Sequence, residues 1–136
     1  MSTNAYYTLL SMIKILVDTL GRPFSVNASL RENWRATHAK TKQWREHSYY
    51  LWKKALTGQQ EGLWPASRPA RVIVTPVYKK RNHIQDVAGC ALAAKAVVDG
   101  AVDAGVLTGD NPQYLSEIVF RTHRFGRKDG LEIIIE

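Results

Sequence analysis

The chain has 136 residues, of which 45% are hydrophobic and 10% aromatic, so it can bury one apolar core but not two independent ones. This composition excludes an intrinsically disordered chain. A single cysteine, Cys90, excludes an internal disulfide framework and suits a reducing cytoplasm, and no apolar run reaches the roughly 20 residues that span a bilayer. We therefore predict a single domain over residues 1–136, with residues 1–11 as a loose or accessory lead and no membrane partner.

The charge is distributed unevenly along the sequence. Residues 1–85 contain 14 Lys and Arg against 4 Asp and Glu, whereas residues 86–136 contain 5 against 8. The first part carries +10 and the second −3, which together give the net charge of +7. A basic part attracts a phosphate backbone and an acidic part holds metal cations, although for charge alone a solvated basic face without a partner is the commoner explanation.

The first half of the sequence predicts one strand and one long helix. Residues 12–18 form a short β-branched and apolar run that favours a strand, followed by a break at residues 21–23 and a loop over residues 23–37. Residues 38–56 predict the clearest helix, with Thr37 as N-cap and Gly58 as its stop. One face of this helix is apolar and consists of Trp44, Leu51, Trp52 and Ala55.

The second half predicts a strand, a helix and a hairpin. Residues 70–78 read as a strand in which Pro76 indicates an edge position or a bulge. A helix over residues 90–104 ends at Gly105, and residues 114–124 and 131–136 predict a hairpin joined through FGRKDG. The order β-α-β-α-β-β predicts a small mixed α/β (α+β) domain, with about four strands in a mixed sheet packed against two helices.

Three charged residues lie within or beside the second helix. Asp86 precedes it, Lys95 lies within it and Asp110 follows it. Because the flanking segments read as strands, both loops can fold back to one end of the sheet and bring two carboxylates together around a hard cation. The alternative is structural: Asp86 is then a helix N-terminal acid, Asp110 a turn residue before Pro112, and Lys95 half of an exposed i,i+4 pair.

Residues 85–112, QDVAGCALAAKAVVDGAVDAGVLTGDNP, resemble the RusA-type Holliday-junction resolvases. These small phage and prophage nucleases share the pattern Asp-x-Asp-Asn, a helix containing Lys, then Ala-Gly and an acidic pair. The run DGAVDAGVLTGDNP at residues 99–112 is most similar to the actinobacteriophage branch, and residues 21–46 resemble the family's opening loop and first long helix more weakly. The sequence departs from the pattern at three positions, where Ala88, Gly89 and Gly109 replace Asp, Asn and the first acid of the later pair.

The resemblance implies a metal-dependent active site. Asp86, Lys95 and Asp110 are then the catalytic residues, and Asp86 and Asp110 hold Mg²⁺, for which Mn²⁺ is a possible substitute. Lys95 would contact the scissile phosphate or steady the leaving oxygen. Asp99 would orient Lys95 and is a weaker third ligand.

Other residues near this pattern have more than one interpretation. His83 is a proton carrier or a DNA-facing loop residue, and Glu117 is an additional ligand candidate. Cys90 is expected to pack rather than to act as a nucleophile. Trp34 either stacks on an unpaired base or belongs to the core. The predicted DNA contacts lie in two basic segments and comprise Arg22, Asn27, Arg31, Arg35, Lys40, Lys42, Lys79, Lys80 and Arg81.

The function expected from this resemblance is a structure-selective endodeoxyribonuclease that nicks branched double-stranded DNA such as four-way junctions. Symmetric cleavage of a junction calls for two active sites, which predicts a homodimer. The expected location is the cytoplasm of a bacterial host in which a phage or prophage protein acts. Two alternatives stay open: a junction-binding protein of the same fold with weakened or lost cleavage, indicated by Ala88 and Gly109, and a phage nuclease for flaps or forks.

Overall fold

Five strands and three helices make up residues 11–136, the part of the chain that this computed structural model describes. The predicted lead at residues 1–11 lies outside this range except for Ser11. None of the helices in the range has the length and apolar character needed to cross a membrane. In chain order the elements are β1 Ile13–Val17, α1 Val26–Arg31, α2 Trp34–Leu56, β2 Ala70–Tyr78, a 3-10 turn Arg81–His83, α3 Ala91–Ala104, β3 Leu115–Phe120, β4 Arg124–Phe125 and β5 Gly130–Ile135.

The mixed α/β class predicted from the sequence is confirmed, and the sheet has the order β1-β5-β2-β3. β5 runs antiparallel to both of its neighbours, so that Ile135 pairs with Ile13 on one side and with Val72 on the other. β3 runs parallel to β2, and the two-residue strand β4 continues this pairing at the carboxyl end of β2. The prediction of about four strands and two helices omitted β4 and α1.

The predicted hairpin between residues 114–124 and 131–136 is wrong. β3 and β5 lie on opposite sides of β2, so they are not neighbours. β2 is buried along nearly its whole length and therefore accepts a strand at each edge, whereas α3 forms the crossover that returns the chain to a parallel position beside β2. A turn motif between two strands predicts only that the chain reverses, and here the central strand enters between them.

The prediction of an edge strand or bulge from Pro76 is also corrected, because β2 is a central strand. Val74 and Tyr78 direct their carbonyl groups towards β3 and β4, where they accept from the N–H groups of Arg121 and Gly126 at 2.9 and 3.1 Å. By alternation, the ring nitrogen of Pro76 faces the same side. That is where β3 has ended and β4 has not begun, so the missing N–H of proline leaves no ladder bond unmade.

The helical segment of the first half begins earlier than predicted. Residues 23–37 contain α1 and the first turn of α2 rather than a loop. Ser25 Oγ accepts from the N–H of Ala28, and Asn33 Oδ1 accepts from the N–H of Ala36, both at 2.9 Å. Asn33 is therefore the N-cap of α2, and Thr37 lies inside the helix.

The core lies between one face of the sheet and the pair α2 and α3. Trp44 and Trp52 are buried as predicted, and the indole Nε1 of Trp52 donates to the carbonyl of Val97 at 3.0 Å. The two helices are in tight contact at Gly100. A Cβ atom there would overlap the hydroxyl of Ser48 and lie 2.8 Å from the carbonyl oxygen of Arg45.

We predict that Gly100→Ala lowers the free energy of unfolding, although alanine is the better helix former. The propensity gain is about 1 kcal/mol, whereas overpacking at a helix contact costs about 1 to 3 kcal/mol and here involves backbone atoms that cannot rotate away. Urea unfolding would measure the difference. The matched control is Gly58→Ala, where the nearest atom to an added Cβ is 3.6 Å away. Equal stability of Gly100→Ala and wild type would mean that the packing cost does not exceed the gain in helix propensity.

Candidate active site

Lys95 lies between two carboxylates on the exposed side of α3. Its Nζ donates to Asp99 Oδ1 and to Asp110 Oδ2, each at 2.6 Å. The Lys95 side chain is 54% exposed and that of Asp110 46%, so the cluster faces solvent. The structure thus brings together three of the residues that the sequence singled out: two lie on α3 and the third, Asp110, lies in the loop after it.

The sequence of α3 explains why Lys95 points outward. Apart from a polar stripe and the exposed Leu92, this helix consists mainly of small apolar residues, most of them buried. The stripe repeats at i, i+4 and i+8 and contains Lys95, Asp99 and Asp103. Asp103 is occupied elsewhere, because Arg45 of α2 holds it with two hydrogen bonds of 2.7 and 2.8 Å.

The loop after α3 carries Asp110 back to Lys95. Gly105 ends the helix in the left-handed conformation, with φ 87°, as predicted from the sequence. Asn111 then builds a turn in which its side chain accepts from the N–H of Gln113 and its carbonyl from that of Tyr114, both at 2.9 Å. This turn fixes the position of Asp110 immediately before it.

The bonds of the cluster favour the charged forms of Lys95 and Asp110. Partial burial by itself lowers the pKa of Lys95, but the hydrogen bonds to Asp110 and Asp99 outweigh it and raise the pKa above its usual value. The hydrogen bond from Lys95 lowers the pKa of Asp110. One ammonium and two carboxylates leave a net charge of −1, and the ammonium retains one N–H beyond those that the two carboxylates accept.

Asp86 lies in the loop before α3 with an exposed side chain. Within the described residues its carboxylate makes no hydrogen bond or ion pair, so no direct bond joins it to Lys95. Its carbonyl accepts from the N–H of Gly89 at 2.8 Å, which closes a tight turn. Across residues 11–136, no three His, Cys, Asp or Glu side chains are grouped as a metal site.

Two of the departures from the family's pattern have a packing explanation. A Cβ at position 89 would lie 3.0 Å from the carbonyl oxygen of Asp86 and 3.1 Å from Cβ of Gln85, so the turn around Asp86 favours glycine. A Cβ at position 109 would lie 3.1 Å from the ring of Tyr114. A side chain at either position would have to displace its neighbours by a few tenths of an ångström. Ala88 is exposed, and no contact explains alanine there.

The other candidates take separate places. Glu117 pairs with Arg71 at 3.7 Å, and Arg71 also pairs with Glu136 at 3.0 Å, so the position of Glu117 is explained by an ion-pair network. Cys90 is buried, as expected for a packing residue, and burial raises the pKa of its thiol to about 11. A thiol with that pKa stays protonated at neutral pH and is a poor nucleophile.

The structure brings the predicted basic segments close to Asp86 through backbone contacts. The N–H of Val26 at the start of α1 donates to the carbonyl of Gly89 at 3.0 Å, and Gln85 Nε2 donates to the carbonyl of Pro23 at 3.0 Å. The first segment follows along α1 and α2, where Lys40 pairs with Glu32 at 3.0 Å. Members of the two segments that are exposed include Arg22, Asn27, Arg31, Arg35, Lys42, Lys79, Lys80 and Arg81. Trp34 is 72% exposed and therefore does not belong to the core.

A His-Asp pair beside these segments was missed at the sequence level. Asp129 Oδ1 accepts from the N–H of Lys79 at 2.8 Å, and His83 Nδ1 lies 2.8 Å from Asp129 Oδ2. Burial alone raises the pKa of Asp129, but the hydrogen bonds from Lys79 and His83 lower it by more. The only local signal was the Asp-Gly turn at residues 129–130, which says nothing about a partner 46 residues away.

We predict that Asp129→Asn destabilises the protein at neutral pH by roughly 1 to 2 kcal/mol, because it weakens charge-assisted bonds to Lys79 and His83. The folded-state pKa of Asp129 lies below its ordinary value of 3.8. Its contribution is therefore complete above the ordinary pKa and is lost as the pH falls through the folded-state pKa. Urea unfolding from about pH 7 to about pH 3 should show the difference from wild type shrinking. Glu61→Gln, in the loop before β2, is the control, and a pH-independent difference would exclude a charge effect.

Comparisons with known proteins leave the family assignment untested. No protein-family model, curated protein or solved structure matches this chain at a significant level. The resemblance to the RusA-type resolvases therefore rests on the residues of the chain alone, chiefly those at 85–112.

Proposed function

We propose that this protein is an Mg²⁺-dependent endodeoxyribonuclease that nicks branched DNA, with Lys95, Asp110 and Asp86 as its catalytic residues. The observation that carries the proposal is the Lys95 ammonium held at 2.6 Å by both Asp99 and Asp110. An isolated i,i+4 pair explains the contact with Asp99. It does not explain why the loop after α3 returns to place a second carboxylate on the same ammonium.

The donor set fits a hard divalent cation. Asp99 and Asp110 already direct carboxylate oxygens at one positive group, and hard cations prefer such oxygens. Mg²⁺ commonly keeps several of its waters, so two carboxylates, those of Asp110 and Asp86, would suffice to hold it. Asp99 is a weaker third candidate, and among the described residues these three carboxylates are not grouped as one site. When bound, the cation would supply charge stabilisation at the phosphoryl group and lower the pKa of a water.

The protein's own groups provide the remaining chemistry. Lys95 would donate a hydrogen bond to a phosphate oxygen and so stabilise charge as the bond to the leaving oxygen lengthens. Asp99 holds the Lys95 side chain along the helix, so the ammonium is already oriented before DNA arrives. Asp86, with no partner among the described residues, remains available to an incoming cation.

Basic residues beside the site support a DNA substrate. The turn of Asp86 is attached to α1 through Val26 and Gly89, and the segment Lys79, Lys80 and Arg81 precedes it by a few residues. Phosphate contacts of this kind give affinity and register without reading bases. Selectivity for branched DNA would then come from the shape of the bound duplex arms.

A homodimer belongs to the proposal, since symmetric resolution of a junction requires two sites. Exposed apolar side chains occur next to the site: Ile84 and Val87 flank Asp86, and Leu92 lies in the first turn of α3. Such side chains are candidates for a contact between two copies.

A second candidate function is junction binding without cleavage. The observations that favour it are Ala88 at the place of an expected acid and the Tyr114 ring against Gly109. Tight binding of a labelled four-way junction, with no nicking in Mg²⁺ or Mn²⁺, would establish this candidate. Comparing junction, flap, fork and linear duplex would distinguish a resolvase from a nuclease for flaps or forks.

We predict that Asp110→Asn reduces nicking of a four-way junction by about 100-fold or more, because it removes one cation ligand and one partner of Lys95. Binding measured in EDTA should persist or tighten, since a negative charge near the phosphates is lost. Asp86→Asn should behave in the same way. The matched control is Asp103→Asn, which loses the bond to Arg45 on the same helix stripe without touching Lys95.

The Asp103→Asn variant should nick the junction at the wild-type rate when equal amounts of folded protein are compared. Full activity of Asp110→Asn would remove this residue from the mechanism. If Asp86→Asn alone were fully active, Asp99 would become the second ligand.

We predict that replacing Lys79, Lys80 and Arg81 by Gln weakens DNA binding and its salt dependence. Each phosphate contact contributes about 0.9 to the slope of log K against log salt for duplex DNA, so the slope should fall by up to about 2.7. Fluorescence anisotropy over a salt series measures it. The control triple Lys14, Lys53 and Lys54→Gln removes the same charge on the surface formed by β1 and α2. Equal slopes in the two triples would mean that residues 79–81 make no phosphate contact.

A further inference from the structure

A third basic segment, which carries an exposed aromatic ring, lies outside the sites described above. Residues 121–128 have the sequence RTHRFGRK, with four cationic residues and no acid, although they belong to the acidic half of the chain. Within it Phe125 is 51% exposed, whereas the other two phenylalanines, Phe24 and Phe120, pack in or against the core. A large apolar ring surrounded by cations needs an explanation.

Phe125 is supported by two further aromatic rings. The His123 ring lies 5.1 Å from that of Phe125 in an edge-to-face arrangement, and 5.7 Å from that of Tyr78. Tyr78 is completely buried, His123 is half-buried and Phe125 is exposed. The three rings therefore form a continuous row from the core to the surface, so the outer ring has a fixed orientation.

The backbone of Phe125 is also held. It pairs with Tyr78 in the parallel ladder of β2 and β4, and the N–H of Gly126 donates to the Tyr78 carbonyl at 3.1 Å. Gly126 packs closely on Val77, because an added Cβ would lie 2.7 Å from Val77 Cγ1. A ring on a rigid support loses little conformational entropy when a ligand stacks on it.

The surroundings of Phe125 are strongly positive. β4 lies beside the end of β2, which leads directly into Lys79, Lys80 and Arg81, and Asp129 links that segment to the turn before β5. Residues 79–81 and 121–128 together contain seven Lys and Arg side chains. Among the described residues only one of these, Arg124, pairs with an acid, Glu132 at 3.0 Å. A groove of about 280 Å³ adjoins them and is lined by Leu16, Asp18, Val77, Arg124, Gly126, Arg127 and Lys128.

We propose that Phe125, supported by His123, is a stacking platform for an unpaired base of a DNA strand whose phosphates contact Arg127, Lys128 and the segment at residues 79–81. An exposed aromatic face combined with cationic side chains that contact the phosphates is an arrangement that binds single strands without sequence preference, because every base offers a π-face. This inference rests on the proposed function for the identity of the strand as DNA and adds where an unpaired nucleotide would lie.

Charge argues against a second copy of this chain as the partner of Phe125. A two-fold contact would place the same patch on both sides, so seven cations would face seven others with the ring between them. A polyanion with flat apolar groups satisfies both features of the surface.

The experiment uses full-length protein in EDTA and a fluorescent 15-nucleotide single strand of mixed sequence, with the matching duplex as a second probe. Phe125→Ala should weaken single-strand binding by about 5- to 150-fold, the effect of losing one stacked base, and change duplex binding much less. Its salt slope should stay that of wild type, whereas Arg127 and Lys128→Gln should lower the slope by about 1.4. Phe125→Trp should restore binding.

The matched control is Tyr50→Ala. Tyr50 is another exposed ring, but it lies beside Glu46 and Asp103 and outside the segments at residues 79–81 and 121–128, so its loss should not affect binding of the single strand. Equal single-strand affinities of wild type and Phe125→Ala would overturn the platform, as would a wild type that does not bind the single strand. A dimer that dissociates on Phe125→Ala in sedimentation experiments would reassign the ring to self-association. Because nothing is cleaved in EDTA, failure of junction nicking in Mg²⁺ is a separate result that concerns the proposed nuclease.

Discussion

The close contact of α2 with α3 at Gly100 is the constraint on which the placement of the site depends. With no side chain at this position, the backbone of α3 approaches Arg45 and Ser48 of α2, and the Trp52 indole bonds to the Val97 carbonyl. This contact fixes the rotation of α3 about its own axis. Once that rotation is set, the polar stripe of the helix must face solvent, and Lys95 points towards the loop that carries Asp110.

The charged side chains of the described residues fall into two groups, one mainly acidic and one basic. Carboxylates concentrate around Lys95, where the pKa of Asp110 is lowered and that of Lys95 is raised, so both stay ionised. Cations concentrate on the loops after β2 and around β4, where few of them have acidic partners. Under the proposed function, the second region would bind the phosphate backbone and the first would carry the catalytic groups. The ion pair of Arg45 with Asp103, by contrast, joins α2 to α3, and its two charges neutralise each other.

The candidate site was partly predictable from the sequence. Contacts between residues close in the sequence could be predicted, whereas contacts between residues far apart could not. The contact of Lys95 with Asp99 follows from their spacing of four residues on a helix whose other side is apolar. The contact with Asp110 required the loop after Gly105 to reverse along the helix, which the helix stop made possible but did not determine. The pair of His83 and Asp129 could not be predicted, because it joins two loops that become neighbours only when β5 enters the sheet beside β2.

The sequence by itself determined the class of fold, the extents of β2 and α3, the apolar face of α2 and the composition of the charged segments. These properties depend on the periodicity of apolar residues and on stop signals such as Gly105, both of which act over a few neighbouring residues. Only the tertiary structure decided the strand order, the central position of β2 despite Pro76, and the row of rings from Tyr78 to Phe125. Such features join residues that are far apart in the chain. They depend on which strands pair with the buried strand β2, and no local sequence pattern specifies that pairing.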